Sequence, residues 1–201
     1  MLPQEVWSIP KKGTFNLHAS MLPQYRGAAP INHAIINGEK QTGLTTFFID
    51  DKIDTGKILE QVKITIQDDE TFGELHDRMM LAGADLVLST IEKIVLTDLD
   101  AIDQSSLVSD EKELKSAHKL SREVCQVNWN NQMSIIFNFI RGLSPQPLAY
   151  SFLNNGDDKL ILVKIVRAEK VAGQHKLEIG KIESDNKTWL NGKQKLYILY
   201  T

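Results

Sequence analysis

The sequence predicts an α/β fold in its first part, followed by a unit built mostly from β-strands. Up to residue 96, short apolar or β-branched stretches alternate with amphipathic helical stretches. Residues 97–116 lose this periodicity and collect aspartates and serines, which is typical of a connecting segment. Beyond residue 145, strand patterns dominate. We therefore expect a first domain at residues 1–96, a linker at 97–116 and a second domain at 117–201.

The clearest element of the first part is a helix at residues 71–95. Apolar side chains recur there at helical spacing, and Thr71 and Glu74 form a capping-box pattern at its start. Shorter patterns predict a helix at residues 31–37, which Gly38 should end. They also predict strands at residues 13–19, 43–49 and 58–66.

The second part begins with an amphipathic helix at residues 131–141, which Gly142 should end. The turn signal Asn191-Gly192 should join the last two strands in a hairpin. The strands predicted here cover residues 148–153, 159–168, 176–182, 187–190 and 195–200.

The composition is that of a globular protein, with 42% hydrophobic and 24% charged residues. The single cysteine, Cys125, excludes an internal disulfide framework and a cysteine-rich zinc site. No apolar run approaches the roughly 20 residues that span a bilayer, so we expect a cytoplasmic protein.

Residues 1–100 hold 9 basic and 15 acidic side chains, whereas residues 101–201 hold 14 basic and 11 acidic side chains. The basic balance of the second half is consistent with an anionic partner, although ordinary charge scatter explains it equally well.

Two polar side chains stand out at the end of the first predicted strand. Asn16 and His18 are two residues apart, so both should point to the same face of the strand. In open α/β sheets, ligands bind beyond the carboxyl ends of strands. An amide beside an imidazole could donate to an oxyanion in acyl transfer. A histidine satisfied by a neighbouring carbonyl is the alternative for this pair taken by itself.

The second chemical feature is Asp54-Thr55-Gly56. The glycine allows a tight turn and a close backbone approach, and the acid could orient and charge His18 or relay a proton through water. Aspartic proteases share the triplet, but they need two such aspartates and this chain has one D-T-G. A plain turn aspartate remains the alternative for the triplet alone.

The order of motifs resembles the methionyl-tRNA formyltransferase family. The chain contains N-L-H-A-S, then L-P-x-Y-R-G-A-A-P-I-N, N-G-E, T-G and I-D-T-G-x-I-L. Trp129 and the run I-R-G-L-S-P-Q-P-L-A at residues 140–149 resemble the family's C-terminal domain. The resemblance implies the C-terminal half of a Rossmann-like formyltransferase domain, followed by a mostly β, OB-like domain that forms a partial barrel.

The resemblance also implies roles for individual residues. Asn16, His18 and Asp54 match the family's catalytic trio, which transfers a formyl group from 10-formyltetrahydrofolate to the α-amino group of initiator methionyl-tRNA. No metal is expected. Ser20, Leu22 and Pro23, together with Asp54, match the folate-binding positions. Arg26 and Gly27 match the segment beside the aminoacyl end of the tRNA, although a structural salt bridge is an equal alternative for Arg26.

The family further implies that basic side chains of the second domain hold the tRNA, while no membrane and no protein partner is indicated. His33 departs from the pattern because the family has tryptophan there. The chain resembles a family member shortened at its N-terminus and at its C-terminus. We therefore expect a parallel sheet with an exposed edge, self-association, and little or no formylation by the chain alone.

Two other functions remain open. Sugar-nucleotide formyltransferases share the N-L-H motif, the L-P-x-Y-R-G loop and a similar second domain, so the same site could formylate an amino sugar. The other possibility belongs to a different class, a non-catalytic remnant that still binds RNA through its basic half.

Overall fold

The structure is a computed structural model, and it describes residues 2–97, 100–108, 110–154, 159–170, 182–184, 190–192 and 196–199. The chain divides into two compact units. The first comprises Met1–Ala34, Lys40–Gln67 and Glu74–Lys119, and the second comprises Ile35–Glu39, Asp68–Gly73 and Leu120–Thr201. In the described part of the chain, no helix is long and apolar enough to cross a membrane.

The first unit is built on a three-stranded sheet in the order β1-β3-β4. Strand β1 covers Phe15–His18, β3 covers Gln41–Phe48 and β4 covers Ile58–Thr65. Both pairs of strands are antiparallel, with Asn16 opposite Phe47 in the register. The expectation of a parallel sheet was therefore wrong for these strands. The sequence pattern had located the strands correctly, but local alternation does not encode strand direction.

Helix α3, Phe72–Leu96, agrees with the predicted helix at residues 71–95. Its buried side is formed by residues at helical spacing: Leu75, Met79, Gly83, Leu86 and Thr90. Where Gly83 faces the sheet, a Cβ atom would stand 2.8 Å from the Leu17 side chain. The helix thus packs closely against β1. The shorter helices of this part are α1, Gln4–Trp7, and α2, Pro30–Ile36.

The segment at residues 97–116, expected to be a linker, has structure of its own. It contains short 3-10 helices at Gln104–Leu107 and Glu111–Glu113, and it leads into strand β5, Ser116–Ala117. Strand β5 pairs in parallel with β2, Arg26–Gly27. In the division into compact units, this segment belongs to the first unit. The domain boundaries at residues 96 and 117 remain a prediction.

The second unit has its hydrophobic core around helix α4, Met133–Leu143. Ile136, Phe137, Ile140 and Leu143 of this helix are buried, as their spacing predicts. The helix begins two residues later than predicted and continues through Gly142, so this glycine does not end it. A further 3-10 helix, Glu123–Cys125, precedes it. The core is completed by Cys125, Val127, Ala149, Ile165 and Ala168.

Among the described residues after helix α4, there are six strands. Strand β6, Ala149–Asn154, pairs with β7, Leu160–Ile165. A separate four-stranded antiparallel sheet has the order β8-β11-β10-β9. Its strands are Arg167–Lys170, Ile182–Ser184, Leu190–Gly192 and Leu196–Leu199, numbered β8 to β11 along the chain. The predicted strand at residues 176–182 lies outside the described residues except for Ile182.

The final hairpin was predicted with the correct partners but the wrong turn. Strands β10 and β11 are antiparallel neighbours, with Leu190 opposite Ile198 and Asn191 opposite Tyr197. Asn191 and Gly192 therefore belong to strand β10 itself. A strong turn dipeptide can be accommodated in a strand when cross-strand pairing on both sides determines its conformation.

Candidate functional site

Strand β1 brings Asn16 and His18 to the same side of the chain, as their spacing predicts. Asn16 is exposed, whereas His18 is buried with 6% of its surface accessible. The His18 ring lies edge-on to Phe47 of β3, with 6.4 Å between the ring centroids. The histidine is thus held in a fixed orientation by its packing against the central strand.

Hydrogen bonding at one ring nitrogen assigns the roles of the His18 nitrogens. The Nε2 atom lies 2.9 Å from the carbonyl oxygen of Tyr25, so Nε2–H donates to this oxygen. The other nitrogen, Nδ1, then has its lone pair available in the neutral ring and carries a proton in the charged ring. Tyr25 presents its carbonyl from a left-handed backbone conformation with φ of 60°. Chemistry at His18 is therefore expected at Nδ1.

The turn after β3 places Asp54 next to His18. The Oδ2 atom of Asp54 lies 3.6 Å from Nδ1 of His18 and accepts a hydrogen bond of 2.9 Å from the backbone N–H of Gly27. The backbone of Asp54 is left-handed, with φ of 56°. Aspartate adopts this region more readily than most residues. The carboxylate thus joins three separate pieces of chain: β1, the β2 segment and its own turn.

Gly56 is required by the close approach of this turn to strand β3. A Cβ atom at Gly56 would stand 1.7 Å from the carbonyl oxygen of Phe48, a distance that no side chain can tolerate. The expected reason for glycine in the D-T-G triplet, a close backbone approach, is confirmed by this contact.

A cavity of about 230 Å³ lies beside these residues. Asn16 and Asp54 contribute its polar groups together with Asp50 and Lys52. Its apolar lining comes from Leu2, Phe47, Ile49 and Ile53. The cavity therefore combines a mostly apolar wall with one amide, two carboxylates and one lysine amine, and a largely apolar lining with a few polar groups is typical of small-molecule sites.

The expected folate positions in the loop after β1 have buried side chains. Ser20 is fully buried, and its hydroxyl donates to the carbonyl of Gln24 at 2.6 Å. Leu22 packs in a cluster with Phe47 and Ile58, and it precedes Pro23 through a cis peptide bond. These three residues are not among those that line the cavity next to Asn16. A role of Ser20, Leu22 and Pro23 in folate binding remains a prediction.

Gln104 contacts the candidate site, and no sequence motif predicts this. Its side-chain amide donates to the carbonyl oxygens of Asp54 and Gly56, at 3.0 Å and 2.7 Å. Its Oε1 atom accepts two hydrogen bonds from Arg26, from Nε at 3.1 Å and from Nη2 at 2.6 Å. Gln104 lies in the aperiodic segment expected to be a linker. The sequence feature that could have pointed to this residue is its position directly after Asp103, an aspartate that could cap a turn.

Two further titratable side chains, those of His33 and Cys125, do not contribute to the candidate site. Nε2 of His33, which stands in place of the family's tryptophan, lies 2.9 Å from the carbonyl oxygen of His118. Burial, reinforced by the negative charge of Glu123, raises the pKa of the Cys125 thiol, which makes it a poor nucleophile. Among the described residues there is no cluster of histidine, cysteine and carboxylate side chains that could hold a metal ion.

Comparison with known proteins identifies the family to which the chain belongs. Two family models match the chain, "Formyl transferase" over residues 1–91 and "Formyl transferase, C-terminal domain" over residues 119–193. The chain therefore belongs to the formyl transferase family. This confirms the expected fold class, a formyltransferase domain followed by the family's C-terminal domain.

Within this family, the chain is similar to methionyl-tRNA formyltransferases. It is 48% identical over 189 residues to the enzyme of that name from Phocaeicola vulgatus, which covers 94% of this chain and 58% of the relative. The chain thus spans about three fifths of the length of this curated relative.

Solved structures with the same fold have much lower sequence identity. Methionyl-tRNA formyltransferase from Clostridium thermocellum has a TM-score of 0.62 and 20% identity, covering 92% of this chain and 71% of that chain. HypX from Aquifex aeolicus in complex with tetrahydrofolic acid has a TM-score of 0.74 and 20% identity, covering 98% of this chain and 33% of that chain.

Proposed function

We propose that this chain carries the acyl-transfer site of a methionyl-tRNA formyltransferase. The reaction moves a formyl group from 10-formyltetrahydrofolate to the α-amino group of initiator methionyl-tRNA. One observation supports this proposal above all others. The Asp54 carboxylate reaches both Nδ1 of His18 and the backbone of Gly27, and it lines a cavity together with Asn16. The names of the similar bacterial enzymes give the same substrate class.

The chemistry follows from the positions of these groups. Attack of the amine nitrogen on the formyl carbon forms a C–N bond and moves an electron pair onto the formyl oxygen. The side-chain amide of Asn16 and a proton on Nδ1 of His18 are the donors for this developing oxyanion. Nε2 of His18 is already engaged with Tyr25, so it holds the ring in place.

Proton transfer completes the reaction. The attacking nitrogen becomes a positively charged ammonium and must lose a proton. The electron pair on the oxyanion re-forms the carbonyl, the bond from the formyl carbon to the folate nitrogen breaks, and this leaving nitrogen takes up a proton. The Asp54 carboxylate is the acceptor for the ammonium proton, through a bridging water molecule. The proton on Nδ1 of His18 moves to the leaving nitrogen, and Asp54, 3.6 Å from Nδ1, then passes the proton that it accepted to His18.

The cavity beside Asn16 suits the reactive end of the formyl donor. Its volume of about 230 Å³ lies below the roughly 300 Å³ at which pockets for whole drug-sized ligands begin. It can therefore hold the formyl group and the adjoining ring, with Phe47, Ile49 and Ile53 as an apolar wall. In this proposal Ser20, Leu22 and Pro23 shape the loop next to the donor, and Arg26 and Gly27 lie toward the aminoacyl end of the tRNA.

A product assay tests the function. The protein is incubated with 10-formyltetrahydrofolate and either methionyl-tRNA or an amino-sugar nucleotide, and products are identified by mass spectrometry. In contrast to the weak activity expected from the sequence alone, the assembled site predicts a mass gain of one formyl group on the methionyl-tRNA, because His18 and Asp54 lie together beside the cavity. Formylation of the amino sugar alone would reassign the substrate. Binding of the tRNA without any transfer would contradict the catalytic proposal and support an RNA-binding role.

We further propose that the basic half of the chain contributes to tRNA binding. Residues 101–201 carry a net charge of +3, against −6 for residues 1–100. Phosphate contacts release counterions, so affinity should fall linearly with salt concentration on a double-logarithmic plot. Affinities measured by fluorescence anisotropy at several salt concentrations check this. A flat salt dependence would contradict binding through phosphates.

A further inference from the structure

We propose that Gln104 is a positioning residue for this acyl-transfer site, a role that rests on the proposed function. It would hold the Asp54 turn against His18 and set the orientation of Arg26 toward an anionic group of the substrate. The Gln104 side chain is buried, lies far from the site motifs in sequence and contacts two of them, Arg26 and the Asp54 turn.

Gln104 supports the turn that carries Asp54. Gln104 is 2% exposed, and its side-chain amide donates to the carbonyl oxygens of both Asp54 and Gly56. Asp54 has a left-handed backbone, which costs a non-glycine residue free energy and needs support from its surroundings. These two hydrogen bonds hold the backbone on either side of Thr55. They therefore fix the direction in which the Asp54 carboxylate points.

Gln104 also orients the side chain of Arg26. Its Nε and Nη2 atoms donate to the same oxygen of Gln104, so one edge of the guanidinium is fixed. Glutamine is neutral, and it orients the cation without neutralising its charge. In the described part of the chain, no carboxylate forms an ion pair with Arg26. The positive charge therefore remains effective toward a phosphate or another anionic group of the substrate.

Gln104 is itself held rigidly. Asp103 precedes it and caps the short 3-10 helix, its carboxylate accepting hydrogen bonds from the backbone N–H and the hydroxyl of Ser105. One residue earlier, Ile102 exchanges two backbone hydrogen bonds of 2.8 Å with Ile58, the first residue of β4. A polar side chain anchored in this way on a rigid element can position its partners within the narrow tolerance that catalysis needs.

Amide hydrogen exchange at Gly27 tests the positioning role without any substrate. The Gly27 N–H donates to Asp54, so its exchange rate reports the position of that carboxylate. We expect Gln104→Met, which removes all four hydrogen bonds, to accelerate Gly27 exchange about tenfold relative to amides in the middle of β3. The control is Met79→Ala, a buried α3 substitution that lowers stability and should leave this ratio unchanged.

Steady-state kinetics test the link to formyl transfer. Gln104→Met should lower kcat about 10- to 100-fold because the carboxylate is misplaced. Gln104→Glu should also lower kcat. Because its carboxylate would neutralise Arg26, it should in addition raise the KM for methionyl-tRNA several-fold more than Gln104→Met does. Met79→Ala should leave kcat near the wild-type value.

These outcomes separate the two proposals. An unchanged Gly27 exchange ratio in Gln104→Met would overturn the positioning role, and so would the same ratio change in Met79→Ala. A wild-type protein that transfers no formyl group would overturn the proposed function instead, and the exchange ratio would still decide whether Gln104 positions Asp54.

Discussion

At the scale of single residues, the Asp54 carboxylate and the Gly27 backbone depend on one another. The hydrogen bond between them keeps the carboxylate within 3.6 Å of Nδ1 of His18. Gly27 has φ of 126°, a conformation that L side chains rarely adopt. A Cβ atom there would stand 2.4 Å from the carbonyl oxygen of Ala117 in β5. The site therefore tolerates glycine alone at this position.

A single methyl group added at Gly27 tests this dependence. We expect Gly27→Ala to push β2 away from β5 and to lengthen the bond to Asp54. The free energy of unfolding should fall by about 1–3 kcal/mol, as measured by urea titration. The control is Ala28→Ser on the neighbouring exposed residue, which should remain within about 0.5 kcal/mol of the wild type. Equal stability of Gly27→Ala and Ala28→Ser would refute the steric argument.

At the scale of elements, Glu60 connects strand β4 to helix α3. Its carboxylate accepts hydrogen bonds from Lys93, Thr90 and Ser89 of the helix. Burial acts to raise the pKa of Glu60, but the hydrogen bonds from these three residues outweigh it, and the pKa lies below its ordinary value of 4.5. The charged form is therefore the one that stabilises the packing of the helix on the sheet.

This lowered pKa gives a pH-dependent prediction. Because the folded protein binds a proton less readily at Glu60 than the unfolded chain does, the contribution is fully present above pH 4.5 and is lost as the pH falls through the folded-state pKa. We expect Glu60→Gln to lower the free energy of unfolding at pH 7 by about 1 kcal/mol, a modest value because Lys93 is half-exposed.

Urea titrations at several pH values between 3 and 7 check the pH dependence of Glu60→Gln. The difference from the wild type should shrink toward the acid end. Glu92→Gln, a substitution at an exposed position of the same helix, serves as the control and should show no such trend. A difference that stays constant, or that grows as the pH falls, would argue against a stabilising charge at Glu60.

At the scale of the whole molecule, local patterns predicted most of the elements and the positions of the site motifs. Helix α3 follows from apolar side chains at helical spacing, and Asn16, His18 and Asp54 follow from motifs. Strand direction, the turn of the last hairpin and the role of Gln104 depend on contacts between distant parts of the chain. The hydrogen bonds from Gln104 to Gly56 and Asp54 span 48 and 50 residues of sequence.

We propose that Asn16, His18 and Asp54 act together in formyl transfer, and a comparison of two histidine–aspartate pairs of the first unit tests this role. In one pair, His18 faces Asp54 at 3.6 Å inside the site. In the other, His76 lies 3.2 Å from Asp77 on the exposed side of helix α3. Substitutions at the exposed pair therefore provide a matched control for the same side-chain chemistry.

The measurement is kcat for formylation of methionyl-tRNA by the wild type, Asn16→Ala, His18→Ala, Asp54→Asn, His76→Ala and Asp77→Asn. Loss of one oxyanion donor costs about 100- to 1000-fold in kcat, so we predict losses of this size for Asn16→Ala and His18→Ala. Asp54→Asn should also lose activity, and both variants of the exposed pair should retain it. Wild-type kcat in His18→Ala or Asp54→Asn would contradict the proposed role of these residues in catalysis.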